Sequence, residues 1–155
     1  MDVGLTATRR GMIGAQFWEL RRWLIWLRDE HGAATLHHGD CIGGDVEGAV
    51  IANELGYRTV AYPGHPEGAP RDDRFRAYHH SSEIREPAEY KARDREIVSA
   101  CQVLIGCPDS SVERLRSGTW YTIRQARVRP RALLVIGPRG DVLEQRGLDL
   151  LGGAA

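Results

Sequence analysis

Short apolar runs alternate with amphipathic stretches along almost the whole chain, and this alternation predicts strands and helices in turn. Val3-Gly4-Leu5-Thr6 reads as a short buried strand. Ile13, Phe17, Leu20, Leu24 and Leu27 then step by fours and threes, which predicts an amphipathic helix from about Gly14 to Asp29. Trp18, Trp23 and Trp26 widen that stripe beyond one packing face. Thr35-Leu36-His37 gives a second strand. Asp45 is the expected N-cap of a helix reaching Leu55, with Gly56 ending it. Tyr57 to Tyr62 reads as a third strand, with Thr59 and Val60 β-branched.

From Pro63 to Glu86 the pattern fails. Pro63, Pro66, Pro70, several charges and the His79-His80 pair mark a long connection, which predicts a mobile segment partly covering a site. Pro87 suits the first position of a helix running to about Ala100. Val103-Leu104-Ile105-Gly106-Cys107 is the most strand-like run, closed by Pro108. Thr119 to Val128 reads as a helix and Ala132 to Ile136 as a strand, followed by a glycine-rich tail with one possible short strand near Val142. The expected architecture is α/β: a Rossmann-like, doubly wound sheet, mainly parallel, of about five to six strands with helices on both faces. One domain spans residues 1–155, with a core over 3–138 and a tail over 139–155.

Three polar turns each follow an apolar run and precede a helical pattern. They are Thr6-Ala7-Thr8-Arg9-Arg10-Gly11, His38-Gly39-Asp40-Cys41-Ile42-Gly43-Gly44-Asp45 and Ser117-Gly118-Thr119. Parallel strands place all three at one carboxyl edge, where open α/β sheets bind ligands. In the first turn, Thr6, Thr8 and one of Arg9 or Arg10 suit a phosphate; the alternative is a solvated polar turn. In the second, Gly39, Gly43 and Gly44 permit close backbone approach. Asp40 or Asp45 could meet a ribose hydroxyl or orient a neighbouring loop, or Asp45 could only cap a helix. In the third, Ser117, Gly118 and Thr119 open a helix whose N–H groups face an anion, or form an ordinary cap. Arg93 and Arg95 share a helix with acidic neighbours, which usually means a solvated face, although one arginine could enter the cleft.

Charge and cysteine content narrow the partners. Lys+Arg and Asp+Glu are both 21, so the chain lacks the basic excess of a nucleic-acid binder. Lys91 is the only lysine; arginine forks suit single phosphate or carboxylate groups. Cys41, Cys101 and Cys107 have no C-x-x-C spacing, which points away from disulfides and zinc and towards a reducing cytoplasm. No apolar run approaches membrane-spanning length, and no signal pattern opens the chain. His37, His38, Asp40 and Cys41 do not read as a metal site, because adjacent strand residues point to opposite faces. Surplus tryptophan on the first helix predicts a homo-oligomer, most simply a dimer.

Taken together, the turns resemble the Smf/DprA–LOG (SLOG) superfamily of Rossmann-like domains, closest to its small standalone members. Val3-Gly4-Leu5-Thr6-Ala7-Thr8-Arg9 matches their opening turn, and His38 to Asp45 fits their His-Gly-x-x-x-Gly-x-Asp turn. Arg93-Asp94-Arg95-Glu96-Ile97-Val98 resembles their Arg-x-Arg-x-x-Val element, and Gly118-Thr119 their Gly-Thr turn. The resemblance covers roughly Val3 to Pro138 and implies a nucleotide-type ligand whose phosphorylated end meets Gly118-Thr119 and the Thr6–Arg10 turn. Some relatives hydrolyse nucleoside monophosphates to base and ribose 5-phosphate through a glutamate in Pro-Gly-Gly-x-Gly-Thr-x-x-Glu. Here Arg116-Ser117 stands for the paired glycines and Thr122 for the glutamate, and threonine cannot act as a carboxylate acid–base.

The leading expectation is therefore a nucleotide-binding domain that senses or carries its ligand, with no cofactor beyond that ligand. A carrier of the phosphorylated pterin of the molybdenum cofactor belongs to this class. The alternative is a phosphoribohydrolase using another carboxylate, with Asp40, Asp45 or Glu89 as candidates. Single-stranded nucleic-acid binding ranks below both, given the absence of an aromatic–basic stripe.

Overall fold

The computed structural model describes residues 1–151; the last residues of the expected tail lie outside them. In chain order the elements are β1 (Asp2–Ala7), α1 (Gly14–His31), β2 (Thr35–His38), α2 (Gly44–Glu54), β3 (Arg58–Ala61), β4 (Gly64–His65), β5 (Glu83–Ile84), β6 (Ala88–Glu89), α3 (Tyr90–Ala100), β7 (Val103–Cys107), α4 (Gly118–Arg127), β8 (Ala132–Ile136) and β9 (Val142–Arg146). A 3₁₀ turn, Leu148–Leu150, follows. The main sheet has the order β5-β3-β2-β1-β7-β8-β9, and every pairing is parallel except β8 with β9. It is thus a mainly parallel α/β sheet of the expected type. Seven strands replace the expected five or six, because two-residue β5 adds to one edge and β9 to the other.

Alternation along the central strands fills both faces. Val3, Leu5 and Ala7 of β1, with Val103, Ile105 and Cys107 of β7, pack with Leu20, Leu24 and Leu27 of α1 and Ile51 of α2. Leu104, Leu133 and Val135 face the other way, against Ile97 and Val98 of α3 and Trp120 and Ile123 of α4. On that second face β1 carries Gly4, where a Cβ would stand 2.7 Å from Cys101 Sγ. The stripe on α1 is narrower than its sequence suggests: Ile13 and Trp18 are exposed, whereas Trp23 and Trp26 pack partly buried against the core. The tryptophan surplus therefore reduces to Trp18.

Three local expectations are corrected. Asp45 is not a cap: α2 starts at Gly44 behind Gly43, and the Asp45 side chain turns inward. Pro87 does not start a helix, since Ala88 and Glu89 pair with Gly64 and His65 as a small parallel ribbon and α3 begins at Tyr90. The 63–86 connection is not structureless; it contributes β4 and β5, and its Phe75 and Ala77 backbones bond to Ile42 and Asp40. Among the described residues no helix is long and apolar enough to cross a membrane.

Candidate functional site

Sheet order reverses between β1 and β7, because the chain proceeds from β1 to β2 on one side and returns to β7 on the other. Loops leaving the carboxyl ends of those two strands must diverge, and the crevice between them is where ligands of open α/β sheets sit. A cleft of about 1160 Å³ occupies this place. Its walls include Thr6 near the end of β1 with Thr8, Arg9 and Arg10 after it, Gly39, Cys41 and Asp45 after β2, Arg93 and Asp94 on α3, and Asp109 to Thr119 in part. Basic groups (Arg9, Arg10, Lys91, Arg93, Arg114, Arg116, Arg124) outnumber the carboxylates Asp45, Asp94 and Asp109. A chain of zero formal charge thus concentrates positive charge here.

The first two turns are built against each other. Thr8 N–H donates to Cys107 O at 2.9 Å, its carbonyl accepts Gly44 N–H at 2.7 Å, and its hydroxyl accepts Arg10 N–H at 3.2 Å. Gly43 has φ +86°, and a Cβ there would lie 2.2 Å from Arg9 O. At Gly39 a Cβ would meet Asp45 Oδ2 at 2.6 Å and Arg93 Nη1 at 2.7 Å. These glycines let protein segments touch, and neither Gly43 nor Gly44 lines the cleft.

Arg93 is a buried clamp. It donates through Nη1 to Gly39 O at 2.5 Å and Tyr62 O at 3.0 Å, and through Nε to Asp94 Oδ1 at 2.6 Å. Burial works against its charge, but the nearby carboxylates of Asp94 and Asp45 outweigh that and hold its pKa above the usual value. Desolvation pushes Asp45 up to about 6, with Arg93 and the Ala7 amide pulling the other way. Burial likewise raises Asp94, opposed by its contact with Arg93. Cys41, desolvated, is pushed up to about 11, so it is a thiol rather than a nucleophilic thiolate.

Other candidates lie elsewhere. Asp40, with φ +53°, binds its carboxylate to His79 N–H at 2.9 Å and Arg76 Nε at 3.2 Å, so it anchors the 63–86 segment instead of lining the cleft. Glu89 is exposed on the small ribbon. Arg95 does not line the cleft and donates to the hydroxyl of Tyr121, which does, at 3.0 Å. His38 is buried and held near pKa 3, chiefly by desolvation. Its Nδ1 accepts Asp40 N–H at 3.1 Å, so Nε2 carries the proton and donates to Ser81 Oγ at 2.9 Å. His37 turns instead to the Tyr62 hydroxyl and Asp2, and no group of three metal-ligating side chains converges among the described residues.

At the far wall Ser117 Oγ accepts Trp120 N–H at 3.2 Å, which caps α4 and leaves the Gly118 and Thr119 amides outside the helical ladder. Gly118 is open, with nothing within 4 Å of a Cβ built on it. Thr122, one turn later, is buried; its hydroxyl donates to Gly118 O at 3.0 Å and lies beside Asp94. Sequence reasoning missed Asp94, Asp109, Phe75 and Tyr90 as cleft groups. Phase along α3 could have flagged Asp94, next to inward Arg93. Nothing local marks Phe75, which arrives from the long connection to stack 3.8 Å over the Arg9 guanidinium.

No protein-family model and no curated protein matches the chain. Among solved structures it is similar to the X-ray structure of DNA processing protein A (DprA) from Streptococcus pneumoniae. The TM-score is 0.59 at 18% identity, over 86% of this chain and 49% of that one. The chain thus spans about half the length of that structure, and the likeness is one of fold, a Rossmann-like α/β sheet.

Proposed function

We infer that this SLOG-like fold binds a phosphorylated nucleotide or nucleotide-derived ligand, and that it senses or carries it. The observation that carries the reading is the convergence, on one cleft at the topological switch point, of arginines and of the start of α4, where the Gly118 and Thr119 amides lie outside the helical ladder. The volume, about 1160 Å³, exceeds what a lone phosphate needs and suits a nucleotide-sized body. Gly118 and Thr119 offer amides, Arg9 and Arg10 offer forks, and Tyr90 and Tyr121 offer aromatic walls. Calorimetry on a panel of nucleoside mono- and diphosphates tests the reading. Binding in the micromolar range that Gly118→Asp abolishes supports it; binding indifferent to Gly118→Asp moves the ligand elsewhere.

One observation favours a second reading, N-glycosidic hydrolysis. Asp94 brings a buried, cleft-lining carboxylate beside Thr122, where the resembling hydrolases carry glutamate. Its Oδ1 is engaged by Arg93, which favours a fixed charge over a proton shuttle. Chromatography for free base after incubation with nucleoside monophosphates separates the two. Base release lost in Asp94→Asn selects hydrolysis, and no release alongside binding selects the carrier.

A further inference from the structure

Asp109 stands between two arginines that come from different loops. Its carboxylate lies 3.6 Å from Arg10 Nε, on the turn after β1, and 3.5 Å from Arg114 Nη1, on its own loop after β7. All three residues line the cleft at the point where those loops part. Both contacts are long for charge-assisted bonds, which run about 2.7–2.9 Å. The Arg10 and Arg114 side chains stay 81% and 56% exposed, while Asp109 is 25% exposed. Exposed pairs of this kind hold weakly. The carboxylate therefore occupies the place where the two guanidinium groups meet without saturating either.

We propose that this place is the seat of the ligand's terminal phosphate, and that Asp109 is an internal anion that competes for it. The inference rests on the anion-binding reading of the cleft and assigns its phosphate position. A terminal phosphate has three free oxygens and can engage both forks at once, which a carboxylate spanning the same gap does only at long range. Entry of the phosphate releases Arg10 and Arg114 from Asp109 and places like charges side by side. Asp109 thus lowers affinity while keeping both arginines gathered at the site. The opposite role, in which Asp109 accepts ribose hydroxyls, predicts the opposite sign on mutation.

Calorimetry at low ionic strength with AMP, inorganic phosphate and adenosine decides between them. Asp109→Asn should tighten AMP and phosphate by about five- to tenfold, an effect that shrinks as salt is added. Adenosine, which carries no charge, should bind the two proteins alike. Arg10→Gln should weaken AMP, and Asp109→Asn should gain less in that background. AMP affinity unchanged or reduced by Asp109→Asn overturns the proposal, as does a gain that persists in full with Arg10→Gln. If neither wild type nor Asp109→Asn binds AMP or phosphate, the anion-binding reading itself fails. If wild type binds AMP and Asp109→Asn gains nothing, only the competing-anion assignment fails.

Discussion

Asp45 Oδ1 accepts the backbone N–H of Ala7 at 3.0 Å, tying the end of β1 to the start of α2. The bond exists because Gly43 and Gly44 let α2 start directly against the first turn. The carboxylate is buried, and burial lifts that group to about 6. An acid group raised in the folded state contributes most at low pH and loses that contribution as pH rises through its folded pKa. Between about pH 4 and pH 7 wild type should lose up to about 3 kcal/mol from this group, a loss absent in Asp45→Asn. Urea unfolding of both proteins across that range measures it. A stability difference that stays constant with pH would contradict the prediction.

Arg93 holds the carboxyl ends of β2 and β3 through Gly39 O and Tyr62 O. Arg93→Leu should destabilise the fold by about 3–5 kcal/mol, since it strands Asp94 and two carbonyls in the interior. Arg93→Lys should recover little, because a point charge cannot reproduce the fork. Denaturant midpoints at constant slope give the comparison.

Two glycines of the candidate site should part company. Gly43→Ala places a Cβ against Arg9 O at a positive φ and should cost more than about 2 kcal/mol. Gly118→Ala enters open space and should change stability by less than about 0.5 kcal/mol. Thermal unfolding of the two variants checks the contrast, and equal losses would contradict it.

Thr122→Glu is expected to damage the protein rather than to install catalysis. Thr122 is 1% exposed beside Asp94, so a glutamate adds a second carboxylate to the same buried space. A loss of about 2–4 kcal/mol is expected, with no gain in base release. Hydrolysis appearing in a stably folded Thr122→Glu protein would reverse this account.

Ile13 and Trp18 sit exposed at the start of α1, Trp18 at 63%. A second copy of the chain is the expected cover for this face, and Trp18→Ser should shift the mass in analytical ultracentrifugation from dimer to monomer. A wild-type monomer at micromolar concentration would remove the expectation.

The central strands were legible because their apolar runs are uninterrupted, as in Val103–Cys107 and Ala132–Ile136, and β1 was legible because an arginine-rich turn follows it. The turns themselves were legible as turns, but their purpose was not. Gly39, Gly43 and Gly44 look the same in sequence whether they admit a ligand or another segment of chain, and only the approach of Arg9 and Arg93 decides. That Asp40 orients a neighbouring loop while Asp45 ties β1 to α2 was illegible for the same reason: their partners lie 36 to 39 and 38 positions away. Pro87 has the φ of a helix start, yet pairing with Gly64–His65 claims the next two residues first. The 1% exposed Gln16 carried no local signal, being a polar residue on an apparently solvated stretch.

Gln16 gives one Nε2 to two carbonyls, Pro108 O at 2.8 Å and Ile136 O at 2.9 Å. It thereby rivets the ends of β7 and β8 to α1 at the root of the loop that forms the cleft's far wall. Pro108 is where the frame of β7 ends, and the stretch from Asp109 to Arg116 takes part in no strand pairing. For selection or for a protein engineer, that makes the loop an interchangeable cartridge: ligand preference can drift there while the load on the frame stays constant.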